Sequence, residues 1–169
     1  MAEDNIGKKI ESKFGHRLRS RVNGVLIHED KILMINHEMS EDREFWSVPG
    51  GGMIYGQNAK KNLEREFLEE TGLEIEVGKY LCVHEFLQPP LHAMEHFFEV
   101  KLINGNPELG VDPELSSNEQ ILMDLRWMSI SDLKEIPKMN LHQMFWAINY
   151  MDDIGKWTGY FNFENISIK

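Results

Sequence analysis

Three carboxylates within five residues carry the most chemical promise in this chain. Glu66, Glu69 and Glu70 stand at i, i+3 and i+4, a spacing that places all three on one face of a helix, about 5–6 Å apart. Like charges at that separation repel by about 3 kcal/mol per pair at an effective dielectric of about 20. A solvated face loses most of that repulsion to water and salt. A face lining a cleft needs a cation, and Mg²⁺ is commonly held by carboxylates together with substrate phosphates. Arg65, four residues before Glu69, can pair with it and hold its rotamer. Upstream lie Gly50, Gly51 and Gly52, whose backbone N–H groups can approach a ligand closely. A glycine loop leading into a carboxylate helix suits a diphosphate with its divalent cation.

The helix that carries these residues is predicted from Asn58 to Thr71. Asn58 can cap its N-terminus, Leu63 and Phe67 give it an apolar side, and Gly72 can end it in the left-handed conformation. The apolar runs Val22 to Ile27 and Ile32 to Ile35 read as strands around the polar turn His28 to Lys31. A loop is expected over His37 to Arg43, then a short strand, Phe45 to Val48, stopped by Pro49. Further strands are expected over Leu73 to Phe86, with Gly78 a bulge, and over Ala93 to Leu102, Ile121 to Met128 and Tyr160 to Ile168. Pro89-Pro90 reads as a turn and residues 103–119 as loop. Ser131 to Ile136 reads as a short helix capped by Ser131, and Leu141 to Met151 as an aromatic-rich helix. Residues 1–17 read as an arm or short helix. Strands outnumber helices without strict alternation, which predicts an α/β (α+β) sandwich around a mixed sheet.

Composition narrows the partners. The chain has 169 residues, 18 Lys plus Arg against 28 Asp plus Glu, and a net charge of −10. That length favours one domain. The acidic balance argues against nucleic acid, which wants clustered basic residues, and against an anionic membrane surface. It leaves room for a small anion that arrives with a metal. The lone Cys82 cannot form an intramolecular disulfide and sits in an apolar run, so a buried thiol is expected. With no apolar stretch of about 18 residues and a charged N-terminus lacking a signal core, a cytoplasmic protein is expected.

The stretch from Gly51 to Leu73 resembles the signature box of the Nudix hydrolases, G-x5-E-x7-R-E-U-x-E-E-x-G-U with U a bulky apolar residue. Of nine set positions eight match: Gly51, Arg65, Glu66, Phe67, Glu69, Glu70, Gly72 and Leu73. Gln57 replaces the first glutamate, keeping the hydrogen-bonding shape and losing the charge. Trp46 to Gly51 resembles the family's strand and loop leading into the box, and Leu125 to Met128 before Ser131-Asp132-Leu133 its closing strand and short helix. The likeness covers residues 18–150 as one domain, with 151–169 an extension packed on it. It implies a Nudix-type α/β/α sandwich with a central mixed sheet.

The resemblance also implies hydrolysis of a nucleoside diphosphate linked to another moiety. Glu66, Glu69 and Glu70 would hold Mg²⁺ or Mn²⁺, Arg65 would orient Glu69, and Gly51 and Gly52 would let the loop approach substrate. The proton acceptor is expected at Glu119, with Glu114 and Glu69 as alternatives. Arg19 and Arg21 alternate on a strand, so they share a face that could contact phosphate. Trp46, Phe86 and Phe45 lie near the site loops and could stack a base. His37, His84 and His96 read as ordinary core or surface histidines. A proline 16 residues after Leu73, here Pro89, is associated in the family with ADP-ribose hydrolases, and Asp112 to Leu115 resembles a loop of members acting on sugar nucleotides. The expected substrate is therefore a nucleotide sugar or ADP-ribose; the alternatives are a nucleoside triphosphate, an RNA end, or binding without cleavage as a sensor. A homodimer through the N-terminal arm or Met144-Phe145-Trp146 is a further expectation.

Overall fold

The computed structural model describes residues 5–40, 42–113, 115–117 and 120–163. Among the described residues three α-helices and nine strands follow one another as α1 (Asn5–Phe14), β1 (Leu18–Val25), β2 (Ile27–His28), β3 (Lys31–Ser40), β4 (Arg43–Ser47), β5 (Gly50–Gly52), α2 (Ala59–Thr71), β6 (Glu74–Gln88), β7 (Leu91–Asn104), β8 (Leu122–Met128), α3 (Ile130–Glu135) and β9 (Tyr160–Asn162). A five-stranded mixed sheet runs β5-β1-β7-β6-β9, with β1 parallel to β7 and β6 parallel to β9. A smaller antiparallel sheet is built on β3, which pairs with β2, β4 and β8. The fold is mixed α+β around a central mixed sheet, as the sequence predicts, with the second sheet as the added feature.

Strand alternation sorts the apolar residues into two cores. Val22, Leu33, Phe98 and Val100 pack with Leu63 and Phe67 of α2. Val25, Ile32, Met34, Phe97 and Cys82 pack with Trp46, Met128 and the C-terminal segment. Leu63 and Phe67 are fully buried, each worth about 1.5–3 kcal/mol relative to exposure. A Cβ at Gly24 would come within 2.5 Å of Phe67 Cε2, so glycine lets α2 lie close on β1. Burial pushes the Cys82 thiol up to about 12, the inert core thiol expected.

Local signals hold well around α2. Asn58 Oδ1 accepts from Lys61 N–H, and Gly72 has φ 69° at the C-terminus. The turn after β2 places Glu29 and Asp30 at positive φ. Pro89 and Pro90 form the two-residue tip between β6 and β7, where Gln88 pairs with Leu91. Register shifts between Val77 and Tyr80 bracket Gly78, consistent with a bulge.

Three expectations need correction. The loop predicted over His37 to Arg43 is mostly strand: β3 continues to Ser40, because backbone pairing of His37 with Phe45 and Glu38 with Glu44 organises polar residues without apolar alternation. The helix predicted over Leu141 to Met151 is replaced by extended chain and 3-10 turns at Gln143–Phe145 and Met151–Lys156. Leu141 forms a parallel bridge with Trp46, and His142 N–H donates to the Trp46 carbonyl, so β4 takes the backbone groups a helix would use. Ser129, not Ser131, caps α3, in a reciprocal pair with Asp132. The last predicted strand is described over Tyr160–Asn162; residues 164–169 lie outside the described residues.

Candidate active site

The Gly50–Gly52 strand pairs with β1, setting Gly51 beside Val22 and Gly52 beside Arg21. Behind it lies α2. A Cβ on Gly51 would sit 2.3 Å from Glu66 Cδ, so only glycine lets that carboxylate reach the loop. Gly50 N–H donates to Glu70 Oε2 at 2.9 Å. Glu66 and Glu70 thereby line a cleft shared with Arg19, Arg21, Gly51 and Gly52. The two arginines do share a face of β1, and the Arg19 guanidinium lies 4.3 Å from the centre of the Phe14 ring of α1.

Arg65 organises the helix face. It donates to Glu69 Oε2 and to Glu66 Oε1, both at 2.7 Å, and to Gln57 Oε1 at 3.2 Å. Gln57 is thus a hydrogen-bond partner tying loop to helix, which needs its oxygen and not a charge. Glu69 is half-buried on the Arg65 side.

Electrostatics set Glu66 and Glu70 apart from ordinary carboxylates. Burial pushes Glu70 up to about 8, against the Gly50 N–H bond and with help from the neighbouring Glu66 charge. Burial also raises Glu66, against the pull of Arg65. Two buried carboxylates whose charged forms are under-compensated fit a divalent cation, the hard oxygen-loving kind.

Trp46 is corrected. It is 4% exposed and belongs to the core under Met34 and Met128, while its neighbours Phe45 and Ser47 line the cleft. Period-two alternation on β4 turns Trp46 away from the cleft. Phe86 does line it, with its ring 6.4 Å from that of Phe45. Asp112 and His37 line the cleft as well. Burial, then Arg21, lowers His37 to about 4, so its imidazole is neutral. Glu119 and Glu114 lie outside the described residues.

One cluster escaped the sequence reading. His84, Glu95 and His142 bring possible metal-ligand atoms within 4.8 Å of one another, the group of that kind among the described residues. All three are buried. They sit 11 and 47 residues apart, so no local spacing marks them. The period-two placement of Glu95 before Phe97, on a strand with a buried face, was the faint signal available.

The NUDIX domain profile matches residues 17–145. The chain belongs to the Nudix family. YjhB of Bacillus subtilis is 28% identical to the Nudix chain over 99 residues, 56% of this chain and 46% of that protein; the match spans less than half of that relative's length. An ADP-ribose pyrophosphatase of Methanocaldococcus jannaschii is 28% identical over 122 residues, 63% of this chain and 72% of that one. A NUDIX hydrolase from Nitrosomonas europaea has the same fold, with a TM-score of 0.65 at 17% identity, covering 76% of this chain and 84% of that one. No helix among the described residues is long and apolar enough to cross a membrane.

Proposed function

We propose that this Nudix chain is a metal-dependent pyrophosphohydrolase that cleaves the diphosphate of a nucleoside diphosphate linked to another moiety, a nucleotide sugar or ADP-ribose. The observation that carries the reading is one cleft lined by two under-compensated carboxylates, Glu66 and Glu70, together with the cation Arg21. Such a cleft takes a metal on one side and phosphate oxygens on the other. The M. jannaschii relative, an ADP-ribose pyrophosphatase, supports the substrate class.

When bound, Mg²⁺ or Mn²⁺ supplies charge to the diphosphate oxygens and lowers the pKa of water. The chain's own residues do the rest. Glu66 and Glu70, with Glu69 held by Arg65, would furnish the ligand oxygens. Arg21 and Arg19 hold the anionic oxygens in place, and Gly51 and Gly52 admit the substrate close to the backbone. Phe86 and Phe45 offer apolar surface to the base. Water oxygen bonds to one phosphorus, the bond from that phosphorus to the bridging oxygen breaks, and the water proton passes to a carboxylate. We propose Glu119 as that acceptor, with Glu69 and Glu114 as alternatives separated by single Gln variants. Products are a nucleotide and a phosphorylated second moiety.

The test is a panel of ADP-ribose, UDP-glucose, GDP-mannose and the nucleoside triphosphates with Mg²⁺ or Mn²⁺, reading released products. Preferred cleavage of the linked diphosphates is expected. Preference for triphosphates assigns that class instead, and binding without cleavage of any member assigns a sensor.

A further inference from the structure

Arg21, Glu95 and His84 form a row across three neighbouring strands: Arg21 is in register with Glu95 between β1 and β7, and Glu95 with His84 between β7 and β6. His142 reaches the same carboxylate from the C-terminal segment. Its Nε2 lies 2.6 Å from Glu95 Oε2, and His84 Nδ1 lies 2.9 Å from that same oxygen. The remaining ring nitrogens are engaged too. His142 Nδ1 accepts from Met144 N–H at 3.3 Å, which puts its proton on Nε2, facing Glu95. His84 Nε2 lies 3.2 Å from Gln143 Oε1.

Both imidazoles therefore converge on Oε2, and Oε1 is left for Arg21, whose Nε lies 3.7 Å away. Glu95 and Arg21 line the cleft; the histidines stand behind it. The two imidazole-to-carboxylate separations are those of hydrogen bonds, and the Arg21 contact is that of an ion pair. Two ligands at about 2.0–2.2 Å from one tetrahedral ion would stand about 3.4 Å apart, so a proton, not a metal, fits each gap.

Burial alone would raise the Glu95 carboxyl. His142, the His84 hydrogen bond and Arg21 outweigh it and hold that carboxyl well below the usual carboxylate range. Glu95 is thus a firm anion with one oxygen fixed from behind. Arg21 also feels Glu66 and Glu70. Without a fixed counter-ion at Glu95, its guanidinium can swing toward those carboxylates and leave the phosphate side of the cleft.

We propose that His84 and His142 are positioning residues that act through Glu95 to hold the Arg21 guanidinium in the cleft, aimed at an anionic substrate oxygen. The role rests on the reading of Arg21 as a phosphate contact given above.

Two readouts test it. The first needs no substrate: the Arg21 Nε–H signal in ¹⁵N NMR, identified by its loss in Arg21→Ala. That signal is ordered in the wild type, becomes mobile in His142→Leu, and recovers in His142→Gln, whose amide N–H replaces the lost donor. The second is the dissociation constant of the non-cleavable α,β-methylene analogue of ADP-ribose. His142→Leu raises it about tenfold in the wild-type background and less than about twofold in the Arg21→Ala background. His142→Gln stays within about twofold of wild type. If His142→Leu does not fold, Glu95→Gln, which keeps the size and halves the acceptor set, takes its place. An ordered Arg21 in the leucine variant, or the same loss of affinity in both backgrounds, overturns the proposal. So does one zinc per chain retained by the wild type and lost in His142→Leu, which would make the cluster a metal site. An analogue that fails to bind the wild type sinks the proposed function, and the Arg21 signal then decides the positioning role alone.

Discussion

The two sets of buried carboxylates in this molecule differ in who neutralises them. Glu95 is enclosed by His84, His142 and Arg21, and the sum of those partners overcomes its burial and keeps it ionised. Glu66 and Glu70 have one arginine side chain and one backbone N–H between them at hydrogen-bond distance, and burial wins, raising both. A carboxylate compensated from within keeps its charge without help from outside. One left under-compensated at a cleft has capacity for a cation from solution. The same chemical group is thus assigned two jobs by its neighbours.

Breaking the compensated set gives the largest expected effect. Glu95→Ala strands Arg21 and two histidines, and should lower unfolding free energy by about 3–5 kcal/mol in chemical denaturation. Glu70→Gln, by contrast, should leave the fold intact by circular dichroism and lose at least about 10²-fold in turnover with Mg²⁺, about 2.7 kcal/mol. Unchanged turnover would remove Glu70 from the metal set and erase the contrast.

His37 sharpens it from the basic side. Its imidazole titrates near 4 when folded, through burial and Arg21, against about 6.5 unfolded. The unfolded chain therefore binds more protons between those values, and stability falls as pH drops from about 6.5 to 4. Allowing for partial exposure, wild type should lose about 2 kcal/mol across that window relative to His37→Gln. Equal acid sensitivity of the two in urea titrations at pH 4 and 7 would mean that the cleft is wetter than its geometry indicates. The smallest effect is expected at Gln57. Since Arg65 needs only an acceptor there, Gln57→Glu should change turnover by less than about threefold. A tenfold gain would give that position a direct part in holding the metal.

The parts of the molecule legible in advance are those written within a turn or two of chain. The Glu66, Glu69 and Glu70 face, the Arg65 pairing, the Asn58 cap and the Gly72 stop depend on neighbours three to five residues away. The strand face shared by Arg19 and Arg21 follows from period two. Trp46 was misplaced because an apolar strand flanking the glycine loop does not say which of its faces meets the cleft; only packing against Met34 and Met128 decides it. Leu141 to Met151 has helical apolar spacing, yet its backbone is claimed by Trp46 across the chain.

The sequence by itself determined the carboxylate helix, its glycine loop and the family they mark, because helical spacing and glycine geometry act over short range. Only the tertiary structure decided which carboxylates stay charged, which way Trp46 faces, and that His84 and His142 meet at Glu95. Those outcomes depend on burial and on groups brought together from distant parts of the chain, 47 residues apart for Glu95 and His142 and further for Trp46 and Leu141, and neither is encoded in any local pattern.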